Sequence, residues 1–290
     1  MKNGKTITPT TEEGVKRLAK RIKAETGIPH AEALDRAAKQ GGFHNYHHFL
    51  NRPSDTPAGP FPLQAWRRIT ALADPLMHLP RKSIKALERA VAAERKALGE
   101  AFFEEEKGYF YGLLETRDYM RAEYHLAFQL RADGEADRAV QIFKQMIELN
   151  PNDNLGVRSA LVTDLLAAND PDEAGRVLGA FEGDTTPGIL YGRILHTMLT
   201  DGPDAEVEEL IRIGMRFEPH VLKGLAGQTL EEDSNPASGI ISGGSSEAIA
   251  YLVLSRELWG RHQGRVARIL EIAAELERRV DRSAEPVLGM

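Results

Sequence analysis

Three histidines at helical spacing are the first residues in this chain that suggest chemistry. His44, His47 and His48 occupy positions i, i+3 and i+4, which on a helix place imidazoles on one side where they can bind a metal. No acidic residue lies beside them to complete a site, and the chain contains no cysteine. We therefore expect no metal site, and we expect these histidines to surround the aromatic side chains of a short helix.

Motifs for catalysis or cofactor binding are also lacking. Gly239 to Gly244 is rich in glycine, but it has neither the lysine nor the preceding strand of a phosphate-binding loop. Carboxylate pairs such as Glu231 and Glu232 are expected to be solvated in a chain with 43 acidic residues. We find no His-Glu-x-x-His helix, dinucleotide fingerprint or nucleophile elbow. The sequence therefore predicts a protein that is not an enzyme and binds no cofactor.

The elements that hold these residues are predicted to be helices. Apolar residues recur at helical intervals and strand-like alternation is scarce, so the expected fold class is all-α. A hydrophobic content of 42% and a charged content of 28% indicate a globular protein, and 290 residues suggest two domains. The longest strictly apolar run, Ala248 to Leu254, is far shorter than the roughly 20 residues that span a bilayer. We expect a cytoplasmic protein with no membrane partner.

Residues 1–52 are predicted to form a small basic domain of three helices. Residues 1–50 hold nine lysines and arginines against five acidic residues, whereas the whole chain has a net charge of -6. A capping box from Thr10 to Glu13 begins the first helix, and Gly27 ends it. One side of this helix carries cations that are candidate nucleic-acid contacts. They are Lys16, Arg17, Lys20, Arg21 and Lys23.

The sequence of this basic domain, which we call the head, resembles a small helical domain of unknown function. The similarity is carried by Gly-Ile-Pro-His-Ala-Glu-Ala-Leu-Asp at 27–35 and Gly-Gly-Phe-His-Asn-Tyr-His-His-Phe-Leu at 41–50. Such domains occur at the N-termini of bacterial, often plasmid-borne, proteins, and the resemblance implies no particular activity.

A proline-rich linker at 53–62 is predicted to separate the head from an all-helical body at 63–290. In the body, an offset of two 34-residue repeats aligns Gly134 with Gly202 and Pro151 with Pro219. The predicted copies cover about 119–152, 153–187 and 188–220. A polar loop from Glu231 to Gly244 follows, and then the C-terminal helices at 245–282, which should cover the open end of the array.

The first copy resembles a tetratricopeptide repeat. The matching residues are Leu126, Ala127, Gly134, Ala139, Phe143 and Pro151. This copy departs from the family at Glu123, where tryptophan is common, and at Met146, where alanine is preferred. Helical pairs of this kind bury their apolar faces by stacking on each other.

A longer resemblance runs from about Ala101 to Trp259. Its landmarks are Glu-Thr-Arg-Asp-Tyr-Met-Arg-Ala at 115–122, Leu-Asn-Pro-Asn-Asp-Asn-Leu-Gly-Val-Arg at 149–158 and Gly-Gly-Ser-Ser-Glu-Ala-Ile-Ala-Tyr at 243–251. They are similar to a group of uncharacterised bacterial tetratricopeptide-like proteins. Together the resemblances imply an interaction module or scaffold.

In tetratricopeptide-like arrays the first helix of each pair lines a concave face that receives a protein or peptide. Here that face is expected to expose seven residues. They are Arg121, Tyr124, Phe128 and Arg131 from the first copy, Ser159 and Thr163 from the second, and His196 from the third. Arginines suit carboxylates, and the rings suit an apolar side chain.

Two alternatives to this scaffold stay open. The first is a nucleic-acid-associated regulator that uses residues 1–50, and the second is a toxin-neutralising role that rests on the acidic charge of the body alone. Assembly into a homo-oligomer is compatible with each of the three hypotheses.

Overall fold

The computed structural model describes residues 8, 9, 11–43, 45–50, 81–230 and 241–284. Within these ranges the regular structure is helical and contains one isolated bridge, between Pro9 and Leu113, which confirms the predicted all-α class. The predicted linker at 53–62 lies outside the described residues. Residues 8–50 and 81–155 belong to one compact unit, and residues 156–230 and 241–284 belong to another.

Seven helices and a short 3-10 turn make up the described part of the first unit. They are α1 (Glu12–Thr26), α2 (His30–Gln40), α3 (Tyr46–Leu50), α4 (Arg81–Leu98), α5 (Glu100–Glu106), the 3-10 turn (Phe110–Gly112), α6 (Leu114–Ala132) and α7 (Ala136–Leu149).

The three helices of the head pack around one small apolar core. The hydroxyl of Thr11 caps α1 by accepting the Gly14 N–H, one residue later than the predicted cap at Thr10, and Gly27 ends the helix with a φ of 70°. The core side chains of the head are Val15, Leu18, Ala19, Ile22, Ala33, Ala37, Ala38 and Phe49. The alanines of α2 let its backbone approach α1 closely because they have little bulk.

The head and the α5–α6 region are joined by polar contacts within the first unit. The Thr8 N–H donates to the Glu115 carboxylate at 2.9 Å, and Pro9 forms its bridge with Leu113. Arg17 and Arg21 of α1 both pair with Glu106 at the end of α5. These contacts place the three head helices in the same compact unit as residues 81–155.

The second unit begins with two helix pairs and continues with four further helices in its described part. The pairs are α8 (Arg158–Ala167) with α9 (Pro171–Ala180) and α10 (Pro187–Leu199) with α11 (Asp204–Phe217). The remaining helices are α12 (Pro219–Leu225), α13 (Ser245–Leu254), α14 (Arg256–Arg261) and α15 (Gln263–Ala284).

One left-handed residue makes the turn inside each helix pair. Gly134 has a φ of 84° between α6 and α7, Asn169 has a φ of 58° between α8 and α9, and Asp201 has a φ of 52° between α10 and α11. Glycine, asparagine and aspartate are the residues that adopt this conformation at least cost. The three pairs span 114–149, 158–180 and 187–217, and the sequence predicts the three copies at about 119–152, 153–187 and 188–220.

The C-terminal helices of the second unit are arranged differently from the prediction. The helix that starts at Ser245 ends at Leu254 rather than near Trp259, and the buried Ser255 hydroxyl donates to the Tyr251 carbonyl at the break. Helix α13 packs against α8, α10 and α12, α14 packs against α8, and α15 packs against α11. In this unit α13 and α14 therefore lie beside the first helices of the pairs, whereas α15 lies beside α11, the last helix of the second pair. No helix in the described ranges combines the length and apolar character needed to cross a membrane.

Candidate functional site

Helix α6 presents one continuous accessible stripe. Its exposed positions recur every three or four residues, as expected for one face of a helix that is otherwise packed. We call Leu114, Asp118, Arg121, His125 and the half-buried Phe128 the α6 stripe. The predicted partner-binding residues Arg121 and Phe128 therefore share one face.

The other two predicted residues of α6 are less accessible. Tyr124 is only 5% exposed, which corrects the expectation that its ring would be open to a partner. The ring packs on Phe128 at a centroid distance of 4.6 Å, and burial together with the nearby Asp153 raises the pKa of its phenol. Arg131 is half-buried near the end of the helix. The buried Tyr124 ring thus packs against the half-buried Phe128 ring and helps to hold it in place.

The predicted residues of the second unit serve in packing. The Thr163 side chain is buried, and its hydroxyl donates to the Ser159 carbonyl at 2.7 Å. Ser159 lies where α8 crosses the start of α10, so close that a Cβ built on Gly188 would lie 2.3 Å from its Cβ. His196 sits against Gly175 of α9, with its Nε2 3.0 Å from the Pro171 carbonyl oxygen. The burial of Thr163 corrects the expectation that its side chain is exposed to a partner, whereas Ser159 and His196 are half-buried.

The C-terminal helices contact α8 and α10, the helices on which a partner-binding face was expected. The Arg261 guanidinium donates to the carbonyl of Ala167 at the end of α8, and the Arg265 guanidinium reaches the carbonyl of Met198 in α10. The rings of Tyr191 and Tyr251 join α10 to α13. Helix α13 thus packs beside α8 and α10, and α14 packs beside α8.

Only part of the predicted basic stripe of the head is open. Lys16, Lys20 and Lys23 are exposed, and Lys16 also forms an i,i+4 ion pair with Glu12 at 2.6 Å. Arg17 and Arg21 are half-buried and point to the same Glu106 carboxylate, which is only 2% exposed. These two arginines therefore fasten α1 to α5, a role that helical periodicity alone does not reveal.

The described residues also contain no group of three or more histidines, cysteines or carboxylates placed to hold a metal ion. His47 is exposed on α3. His44, the side chain of His48 and the predicted solvated pair Glu231 and Glu232 lie outside the described residues.

A cluster that the sequence did not single out lies at the start of α13. Glu218 occupies the corner between α11 and α12, and its carboxyl contacts that of Glu247 in the first turn of α13. The Gly243 N–H donates to Glu247 Oε2 at 2.9 Å, and the Tyr191 hydroxyl donates to the Glu218 backbone carbonyl at 3.1 Å. Asp184 is the third carboxylate near this cluster.

Burial dominates the electrostatics of this cluster. It raises the pKa of Glu218 to about 8, with the facing Glu247 carboxyl as the second cause, and it also raises the pKa of Glu247. Asp184 behaves in the opposite way. Hydrogen bonds from Thr186 and the Arg158 guanidinium, 2.6 Å away, lower its pKa despite burial.

Comparisons with known proteins identify no relative of this chain. No family model, curated protein or solved structure matches the chain. The two resemblances drawn from the sequence rest on their motifs. The sequence signals for the Glu218 and Glu247 cluster are equally indirect, because Glu218 precedes the repeat's closing Pro219 and Glu247 follows the Gly-Gly-Ser-Ser landmark.

Proposed function

We propose that this chain is a non-enzymatic interaction module, and that it binds a protein or peptide partner through the α6 stripe. The observation that carries the proposal is the stripe itself. On a helix whose other faces are packed, it combines an exposed leucine, a cation and an aromatic edge along one line. Aromatic and arginine side chains contribute much of the binding energy at protein interfaces.

Arg121 is the polar anchor of this proposal. Its guanidinium is 3.4 Å from Asp118, and the two side chains are 46% and 76% exposed. An exposed pair of this kind contributes only about 0–1 kcal/mol, so a partner's carboxylate can replace Asp118 at little cost. An arginine can hold such a carboxylate with two parallel hydrogen bonds.

Leu114 and Phe128 supply the apolar contacts at the two ends of the stripe. Leu114 is exposed at the start of α6, and the Phe128 ring is fixed between Tyr124 and Phe143, with centroids 4.6 and 5.2 Å away. A side chain held by its neighbours loses little conformational entropy on binding. Arg121 lies seven residues, or about two helical turns, from both Leu114 and Phe128. The partner that fits is therefore a segment with an acidic side chain about two helical turns from an apolar one.

A direct test compares retention of proteins from a nuclease-treated bacterial lysate by the full chain and by two variants. Arg121→Ala should reduce recovery of the retained partner at least tenfold without changing the melting temperature. The matched control is Arg212→Ala, which removes another exposed arginine with local ion pairs, on α11. Equal recovery by the wild type and Arg121→Ala would exclude the α6 stripe as the binding surface.

Nucleic-acid regulation stays the second candidate, and the structure offers it fewer contacts. Of the five predicted cations, Lys20 and Lys23 are exposed and have no ion pair with the described residues. Because two arginines of the set are engaged with Glu106, we favour the protein-binding function.

A further inference from the structure

The carboxyl group of Glu218 is buried, and one of its oxygens has no hydrogen-bond donor among the described residues. It is only 3% exposed, and its Oε2 atom accepts no hydrogen bond from the described part of the chain. The Gly243 N–H, which donates to Glu247, also faces the Glu218 carboxyl and partly opposes the rise in its pKa. An ionised carboxylate buried with so few donors is costly, so a group in this position keeps its proton unless a cation neutralises it.

No cation in the described ranges fills that role. The Arg158 guanidinium is bonded to Asp184 at 2.6 Å and partly opposes the rise in the pKa of Glu247, but no described cation lowers the pKa of Glu218. The Tyr191 hydroxyl is directed to the backbone carbonyl of Glu218 rather than to its carboxyl. The cluster also lacks the three ligands that a metal site needs.

The Glu247 carboxyl faces that of Glu218 and makes ionisation of Glu218 more costly. The carboxyl of Glu247 contacts that of Glu218, and its Oε2 already accepts the Gly243 N–H. Asp184 adds a second negative charge near Glu247. Two carboxyl groups in contact share one proton readily, whereas two carboxylates at the same distance repel each other.

We propose that Glu218 and Glu247 form a proton-dependent latch that holds α13 against the corner between α11 and α12. In the closed state one carboxyl donates its O–H to the other. When that proton leaves to solvent, two adjacent carboxylates remain and the start of α13 is pushed away from the corner.

The latch also controls the contacts that α13 makes with α8 and α10. Helix α13 carries Tyr251, whose ring packs on Tyr191 of α10, and it lies beside α8. Opening the latch therefore uncovers the sides of α8 and α10 that the C-terminal helices close. This inference does not depend on partner binding at the α6 stripe.

The direction of the pH effect follows from the raised pKa values. In the open state both carboxyls titrate near the ordinary glutamate value of 4.5, whereas in the closed state the pKa of Glu218 is about 8. The closed state therefore binds more protons between these values. Its advantage is greatest at low pH, declines by up to tenfold per pH unit towards pH 8, and is constant above it.

Hydrogen exchange of the full chain tests the latch. We expect protection of amides 248–254, corrected for intrinsic exchange, to fall at least tenfold between pH 5.5 and pH 8. Amides 174–180 of α9 serve as the internal reference. Glu218→Gln mimics the protonated carboxyl and should keep α13 equally protected across this range. Glu209→Gln, on the exposed face of α11, is the matched control and should behave as the wild type.

A second variant covers the case in which Glu218→Gln does not fold. Glu247→Gln alters the half-buried partner and removes the same repulsion, so it should also abolish the pH dependence. The latch is rejected if wild-type α13 keeps constant protection over this range. It is also rejected if the folded variants lose protection with pH as the wild type does.

Discussion

The phenol rings of Tyr191 and Tyr251 face each other in the core of the second unit, with centroids 6.1 Å apart and planes inclined by 35°. Each hydroxyl extends the contact. That of Tyr191 donates to the Glu218 carbonyl, and that of Tyr251 accepts the Trp259 indole N–H at 3.0 Å. This pair therefore connects the latch to α14 through buried, hydrogen-bonded groups.

The first prediction concerns the Tyr251 hydroxyl. Tyr251→Phe leaves the ring contact in place but removes the acceptor of the buried Trp259 N–H. An unsatisfied buried donor costs about 1–3 kcal/mol, so we expect the free energy of unfolding to fall by that amount in urea titrations. Tyr109→Phe, at an exposed ring, is the control and should stay within about 0.5 kcal/mol of the wild type. Equal stability of the two variants would show that the indole N–H has another partner.

A second prediction uses two glycines in helices of the second unit. At Gly188 an added Cβ would lie 2.3 Å from the Ser159 Cβ, whereas at Gly179 it would meet nothing within 4 Å. We expect Gly188→Ala to lower the free energy of unfolding by about 1–3 kcal/mol through overpacking. Gly179→Ala should raise it by about 0.5–1 kcal/mol, because alanine favours the helix.

A double variant checks the origin of the Gly188 effect. Ser159→Gly removes the nearest side-chain atoms, so combining it with Gly188→Ala should recover part of the lost stability. Additive losses would mean that α8 and α10 do not approach each other at this point. The same experiment tests whether Ser159 is a packing residue rather than a partner-binding one.

Local signals in the sequence predict where helices begin and end better than they predict what packs against each helix. Gly27 and Gly134 mark helix ends because left-handed geometry is a property of a few consecutive residues. The burial of Tyr124 and Thr163 depends instead on what covers each helix, and helical periodicity shows only which residues share a face.

The Glu218 and Glu247 cluster was unpredictable for the same reason. One carboxyl comes from the corner before α12 and the other from the first turn of α13, 29 residues further along the chain, and each has ordinary neighbours in the sequence. Glu123 gives a related example within the first unit. It replaces a tryptophan typical of the repeat family, yet it is buried and accepts a 2.6 Å hydrogen bond from the Tyr119 hydroxyl.

A third prediction concerns the attachment of the head. Glu106 is the common partner of Arg17 and Arg21, so Glu106→Gln leaves two half-buried guanidinium groups without a counter-charge. We expect a loss of about 1–3 kcal/mol in the unfolding of the first unit, below the value for fully buried pairs because both arginines retain some solvent. Glu100→Gln, at an exposed ion pair with Arg95, should leave the free energy of unfolding close to that of the wild type. Similar losses in the two variants would contradict the anchoring role.

The last prediction separates the two functional proposals through salt dependence. Each phosphate contact contributes about −0.9 to the slope of log K against log salt concentration on duplex DNA. With Arg17 and Arg21 held by Glu106, three of the five predicted cations, Lys16, Lys20 and Lys23, stay exposed, so contact through this set should give a slope no steeper than about −3. Fluorescence anisotropy of a labelled duplex from 50 to 200 mM salt measures it, with Lys223→Ala in the second unit as a control variant. A slope near −4.5 would mean that all five cations contact phosphate. That result would require α1 to leave Glu106, and it would favour nucleic-acid binding over the α6 stripe.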